Sequence, residues 1–95
     1  MEQKLYVLVR GDLSKSQQAV QAGHAVAEFC KNGGLGRGWT NGTLVYLKVR
    51  DLDELKEWAS SIDNHHPFYE PDIGNQMTAF AVYGFKDGFD QLRLA

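Results

Sequence analysis

The polar residues best suited to chemistry fall into two groups, one in each half of the chain. The first group consists of Gln17, Gln21, His24 and Glu28. Their spacings of three and four residues place them on one stripe of a helix. The second group is the segment 70–75 (Glu-Pro-Asp-Ile-Gly-Asn), followed by Thr78. Carboxylates in a loop beside a sheet are well placed to orient or activate water.

Both groups also have a purely structural interpretation. A polar stripe at helical spacing is typical of a solvated helix face, and Asp72 and Asn75 are common turn residues. Gly23 argues against the solvated face, because a glycine inside a helix costs about 1 kcal/mol relative to alanine. We therefore predict that Gly23 lies on the buried face and packs closely against the sheet. Gln21 and His24 would then lie at the edge of a cleft.

A metal site is not expected, although four potential ligands lie close together in the sequence. They are His65, His66, Glu70 and Asp72. Their spacing matches no standard metal site. The prediction is therefore that the chain binds no metal.

The glycine-rich segment 34–38 follows a helix instead of a strand, so it lacks the context of a phosphate-binding loop. Arg37 within it is retained as a candidate phosphate contact. Trp39 is interpreted as a packing residue, with stacking on a base as the alternative. Cys30 lies on the predicted apolar helix face and is interpreted as a core residue.

Hydrophobic patterns predict the elements that position these groups. Strand-like runs cover 4–10, 43–49 and 77–83, and a short strand is expected to begin at 68–69. The segment from Leu5 to Glu28 is predicted to be a strand, a loop and a helix. Ser14 or Ser16 would cap this first helix, and Asp51 or Asp53 would cap a second helix that runs to about Ile62. The expected apolar face of the first helix is Ala19, Gly23, Val26 and Cys30.

The order β-α-β-α-β-β predicts an α/β fold with helices on the faces of a small mixed sheet. The last two strands are joined too closely to be parallel neighbours. We expect residues 1–95 to form one domain, for which dimerisation would add stability. The segment 84–95 has no clear pattern. The formal net charge of −2 gives no global attraction to nucleic acid, but five cations in the N-terminal half leave a local basic patch open. They are Lys4, Arg10, Lys15, Lys31 and Arg37.

With one cysteine, the chain cannot form an internal disulfide, which favours a reducing, cytoplasmic location. No apolar run approaches the roughly 18 residues that span a bilayer. We therefore expect neither export nor a membrane partner.

The two polar groups together resemble type II peptidyl-tRNA hydrolases. Residues 5–13 (Leu-Tyr-Val-Leu-Val-Arg-Gly-Asp-Leu) and 19–25 (Ala-Val-Gln-Ala-Gly-His-Ala) resemble that family's opening strand, which ends in Val-Arg-x-Asp-Leu, and its helix with Ala-Ala-Gln-x-x-His-Ala. Residues 72–74 look like its Asp-Ala-Gly loop, and 78–84 are similar to its last strand. The resemblance covers most of the chain and is strongest over residues 5–28.

The resemblance implies a three-layer α/β/α sandwich around a four-stranded mixed sheet, often dimeric. It also implies a metal-independent esterase, without cofactor, that cleaves the ester between a peptide and the terminal ribose of tRNA. Asp72 would orient water, while Gln21, His24 and Thr78 would shape the site. The family lysine position, four residues before Gln21, holds Gln17.

Lys15, in the shortened segment 14–17, is therefore expected to balance the developing negative charge. Residues expected to contact the substrate are Gln17, Arg37, Glu70 and Asn75. Two other functions remain open. The chain could be a non-catalytic member of this fold that binds RNA or protein, or it could hydrolyse a different small ester or amide.

Overall fold

The computed structural model describes residues 3–34, 38–84 and 87–95. The strands are β1 (Leu5–Arg10), β2 (Leu44–Val49), β3 (His65–Glu70), β4 (Gln76–Tyr83) and β5 (Arg93–Leu94). The α-helices in these ranges are α1 (Lys15–Lys31) and α2 (Leu52–Ser60). Short 3₁₀ helices cover Pro71–Ile73 and Phe89–Gln91. The predicted α/β class is confirmed.

The strands form one mixed sheet with the order β3-β4-β1-β2-β5. Only β1 and β2 are parallel among its pairs. The sheet therefore has five strands, and the predicted four was wrong. The additional strand, β5, has two residues, which is too short to produce a hydrophobic period. The last two predicted strands, β3 and β4, are antiparallel, as expected.

The third strand begins earlier than predicted, because it covers His65–Glu70 instead of starting at residues 68–69. Pro67 lies inside this strand, and a proline is not expected in a strand from sequence alone. The strand can accept a proline because it lies at the edge of the sheet, where not every N–H is needed for pairing.

Strand β1 is buried along its whole length, as the continuous hydrophobic run predicted. Leu5, Val7 and Val9 pack in the cluster that contains the α1 residues, and Tyr6 and Leu8 pack in the cluster that contains the α2 residues. Because successive strand residues point to opposite faces, α1 and α2 cover opposite faces of the sheet.

The caps of both helices decide between the predicted alternatives. The Ser14 hydroxyl accepts a hydrogen bond from the backbone N–H of Gln17 at 3.2 Å, so α1 begins after Ser14. The Asp51 carboxylate accepts from the backbone N–H of Glu54 at 3.0 Å and caps α2. Both satisfy a donor that has no partner within the helix.

Trp39 is buried, and its indole N–H donates to the Thr43 carbonyl at 3.2 Å. The packing interpretation of Trp39 is therefore confirmed. Cys30 is half-buried and packs against the α1 side of the core.

The buried face of α1 differs from the predicted one. The buried residues are Gln18, Gln21, Ala22, Ala25 and Phe29. Ala19 and Gly23 are exposed. A Cβ added at Gly23 would meet no atom within 4 Å, so the predicted close approach to the sheet was wrong.

The reason is Phe29, the largest apolar side chain in α1. Its complete burial turns the helix so that the face through Ala22 and Ala25 points to the sheet. This rotation carries Gln21 from the predicted polar stripe into the core.

No helix in the described ranges is long and apolar enough to cross a membrane.

Candidate functional site

Polar residues from several elements meet where the parallel strands end. Strands β1 and β2 both have their carboxyl ends at this edge of the sheet, and α1 begins here. The antiparallel β4 starts at the same edge, and β3 finishes there. Open α/β sheets commonly bind ligands outside the carboxyl ends of their strands. The end of the sheet where β1 and β2 finish is therefore where a ligand-binding site is expected.

A hydrogen-bond network with a buried centre joins α1 to strands β3 and β4. The Thr78 hydroxyl donates to Gln21 Oε1 at 2.7 Å. Gln21 Nε2 donates to Glu70 Oε1 at 3.0 Å and to Gln17 Oε1 at 3.2 Å. The structure thus brings together four of the residues predicted for the site, across sequence separations of up to 57 residues.

Burial gives this network its rigidity. Gln21 and Thr78 are both completely buried, and Glu70 is half-buried. A buried amide or hydroxyl without a partner costs about 1–3 kcal/mol. In this arrangement the buried polar groups of Gln21 and Thr78 all have partners. The network holds the Glu70 carboxylate at the end of β3.

His24 lies one turn after Gln21 on the same side of α1. Its ring stacks on Phe68 of β3, with 4.3 Å between ring centroids and 11° between the planes. His24 itself is exposed. Gln21 and His24 therefore both face β3, where the stacking sets the orientation of the imidazole.

Arg10 forms a second cluster at this edge. Its guanidinium makes two hydrogen bonds to Asp12, at 3.0 and 2.8 Å, and one of 2.8 Å to Gln76 Oε1. The hydrogen bond from Arg10 lowers the pKa of the Asp12 carboxyl, and the same bond raises the pKa of Arg10. The hydrogen bond from Arg10 to Gln76 ties the end of β1 to the start of β4.

Asp72 and Asn75 lie in the connection between β3 and β4. Asp72 is exposed on the 3₁₀ turn Pro71–Ile73 and makes no side-chain hydrogen bond to the described residues. Asn75 has φ +59°, and its N–H donates to the Glu70 carbonyl at 3.0 Å. Asn75 therefore makes the turn, while Asp72 is not part of the hydrogen-bond network.

Lys15 lies on the other side of α1. It lines a cavity of about 370 Å³ together with Gln18, Tyr46 and Lys48. At 100° per residue, Lys15 is well separated from Gln21 around the helix, so the structure does not bring the two together. Arg37 lies outside the described residues. Within the described ranges, no group of three or more His, Cys, Asp or Glu side chains is arranged to hold a metal ion.

Sequence reasoning missed a cationic concavity at the end of β2. Its volume is about 240 Å³, and its lining is Gly11, Lys48, Val49, Arg50 and Arg93. Lys48 and Arg93 are paired across β2 and β5. The sequence carried no signal for this, because β5 was not recognisable.

No protein-family model matches the chain, and no curated protein matches it significantly. The resemblance to type II peptidyl-tRNA hydrolases therefore rests on the motifs in the sequence.

Proposed function

We propose that this chain is an ester hydrolase similar to type II peptidyl-tRNA hydrolases and that it releases tRNA from a peptide. The observation that supports this best is the buried network of Thr78, Gln21 and Glu70. It joins the helix motif, the end of β3 and the start of the last strand, which are the parts of the chain that carry the resemblance. The helices on opposite faces of the sheet also agree with the three-layer sandwich that the resemblance implies.

In the proposed reaction, a water molecule attacks the ester carbonyl carbon. The Asp72 carboxylate orients this water and accepts its proton as the new carbon–oxygen bond forms. The tetrahedral intermediate then collapses, the bond to the ribose oxygen breaks, and that oxygen takes up the proton. The products are the free ribose hydroxyl of tRNA and the peptide carboxylic acid, which releases its remaining proton to solvent as the carboxylate.

The network would act as support for this chemistry. Glu70 directly precedes the turn that carries Asp72. Its hydrogen bond from Gln21 therefore limits the movement of the segment in which Asp72 lies. Preorganised groups of this kind reduce the cost of positioning the reactants.

The exposed His24 would contact the substrate in this proposal, which is supported by its position near Gln21 on the side of α1 that faces β3. Lys15 would balance developing negative charge only if the substrate reached around the start of α1, since Lys15 lies on the opposite side. The same proposal includes a contact between Arg37 and a phosphate of the substrate.

The decisive experiment is hydrolysis of a purified peptidyl-tRNA, followed by separation of the free tRNA. Wild-type protein should release tRNA, and Asp72→Asn should reduce the rate at least about 100-fold, as expected for loss of a general base. The matched control is Asp63→Asn, at an exposed residue in another turn, which should retain the wild-type rate. Absence of turnover at high protein concentration would contradict the proposal.

A second candidate function is RNA binding without catalysis. One observation favours it: Gln17, in the family lysine position, accepts a hydrogen bond from Gln21 and so supplies no positive charge. Under this alternative, wild-type protein binds tRNA but releases no peptide. The hydrolysis assay together with a binding assay separates the two functions.

A further inference from the structure

The cationic concavity beside β5 is an unusual arrangement of charge. Lys48 and Arg93 are direct partners in the antiparallel pair β2–β5. Directly opposite residues have Cβ atoms about 4.5–5.5 Å apart on one face of the sheet, and like charges there are destabilising. Arg50, two residues after Lys48, lines the same concavity. Three cationic residues therefore line one concavity of about 240 Å³.

The negative charge beside the concavity lies next to Arg50, where Glu54 Oε1 accepts a hydrogen bond from the Arg50 backbone N–H at 2.6 Å. Arg50 Nε lies 3.5 Å from an Asp51 carboxylate oxygen. Lys48 and Arg93 form no ion pair with any residue that the structure describes. The nearby Asp12 is engaged by Arg10 in two hydrogen bonds. An anion in the concavity would relieve the repulsion between the paired strands.

The surface is open because of where α1 lies. Tyr46 packs in the core cluster on the α1 side, so Lys48, two residues later in β2, faces the same side of the sheet. Helix α1, however, packs mainly over β1, β3 and β4. In the described residues, only the start of α1 borders the part of this face formed by β2 and β5, where Lys15, Gln18 and Ala19 line a cavity with Tyr46, Lys48 and Leu94. Long cationic side chains can reach a large partner there.

We infer that Lys48, Arg50 and Arg93 bind the phosphodiester backbone of RNA. The inference rests on the proposed function, since it assigns to this surface the tRNA body of the substrate. Phosphate contacts by Lys and Arg provide most of the sequence-independent affinity for nucleic acid. With a net charge of −2, the protein has no overall attraction for RNA, so this local cluster has to supply it.

The hydrogen-bond network and the cationic surface on β2 and β5 lie on opposite sides of the start of α1. The residues of the hydrogen-bond network face β3, whereas Lys15 and Lys48 line a shared cavity on the β2 side. A nucleic acid bound along β2 and β5 would therefore approach the network across the first turn of α1. In this arrangement, Lys15 extends the phosphate-binding surface toward the site.

The test measures binding of fluorescently labelled deacylated tRNA by anisotropy over a range of KCl concentrations. The double variant Lys48→Gln/Arg93→Gln should bind at least about tenfold more weakly, and the slope of log affinity against log salt should fall by about 2. The matched control, Lys56→Gln, removes one charge from an exposed position on α2 and is compared with Lys48→Gln alone. It should bind nearly as tightly as wild type.

Several results would overturn the inference: no tRNA binding by wild type, an unchanged salt slope in the double variant, or an equal loss in the control. Equal binding to vesicles that contain phosphatidylserine, lost in the same variant, would overturn the assignment to RNA. Thermal unfolding tests separately whether the double variant is folded. Because Lys48→Gln/Arg93→Gln removes a like-charge pair, its thermal midpoint should be no lower than that of wild type.

Failure of this inference can be distinguished from failure of the proposed function. Deacylated tRNA has no ester to cleave, so its binding does not depend on catalysis. An N-acetylaminoacyl ester of adenosine, in contrast, has no phosphate. Cleavage of this ester with unaltered tRNA binding by the double variant would overturn only the RNA surface. Loss of tRNA binding in the variant, without ester cleavage by wild type, would overturn only the hydrolase.

Discussion

The Thr78 hydroxyl donates a 2.7 Å hydrogen bond to the side-chain oxygen of Gln21, and both residues are completely buried. This bond connects β4 to α1 across the interface between the helix and the sheet. The remaining polar atom of the Gln21 amide is used as well, since Nε2 donates to Glu70 and Gln17. A substitution at either end of the Thr78–Gln21 bond should therefore affect both stability and the arrangement at the end of β3.

Thr78→Val replaces the hydroxyl with a methyl group of similar size. Gln21 Oε1 then loses its donor within the core, and we expect the free energy of unfolding to fall by about 1–3 kcal/mol. Urea unfolding followed by circular dichroism measures this change. Thr40→Val, at an exposed position, is the control and should change stability by less than about 0.5 kcal/mol. Equal stability of Thr78→Val and wild type would show that the bond does not contribute.

Gln21→Glu should make stability depend on pH. Burial and the neighbouring Glu70 would both raise the folded-state pKa of the introduced carboxyl. Its charged form is then disfavoured in the folded state, so the loss of stability begins as pH rises above the unfolded pKa of about 4.3. We expect near wild-type stability at pH 4 and a clear deficit at pH 7. Gln91→Glu, at an exposed position, should show no such trend.

Asp12→Asn tests the ion pair with Arg10. The pKa of Asp12 is lowered in the folded protein, so the ion pair stabilises fully above the ordinary carboxyl pKa. This contribution is lost as pH falls through the depressed folded pKa. Because the Asp12 side chain is 39% exposed, solvent screening should limit the effect to less than about 1 kcal/mol. Wild type should exceed Asp12→Asn in stability at pH 7, and the difference should shrink in acid.

The comparison for this pair is Asp63→Asn, at an exposed aspartate that forms no ion pair with the described part of the chain. Its stability should follow wild type at every pH. A constant difference between Asp12→Asn and wild type from pH 7 to strong acid would contradict the assignment to this ion pair.

Gly23→Ala should stabilise the protein. The position is exposed within α1, and an added Cβ meets no atom within 4 Å. The gain in helix propensity should therefore appear as about 0.5–1 kcal/mol in thermal or urea unfolding. Gly11→Ala provides the contrast, because its added Cβ would lie 2.7 Å from the Val49 carbonyl oxygen. That substitution should destabilise, and a loss of stability in Gly23→Ala would show that the glycine has a structural role.

Much of the fold could be predicted from local sequence patterns. The hydrophobic run of β1 and the capping residues Ser14 and Asp51 correspond to the observed elements. The face of α1 was assigned wrongly, although Phe29 carried the necessary signal. Its spacing from Ala22 and Ala25 marks the buried side, but the prediction gave more weight to Gly23. A polar residue such as Gln21 shows no sign of burial in the sequence, because its partners on β3 and β4 are 49 and 57 residues away.

The sequence by itself determined the α/β order, the long strands and the polar residue types on α1 and after β3. Only the tertiary structure decided that Gln21 bonds to Thr78 and Glu70, and that Lys48 faces Arg93. The physical reason is that local periodicity reports contacts between residues a few positions apart. The network and the cationic concavity depend instead on strand pairing and helix rotation, which are set by packing of the whole chain.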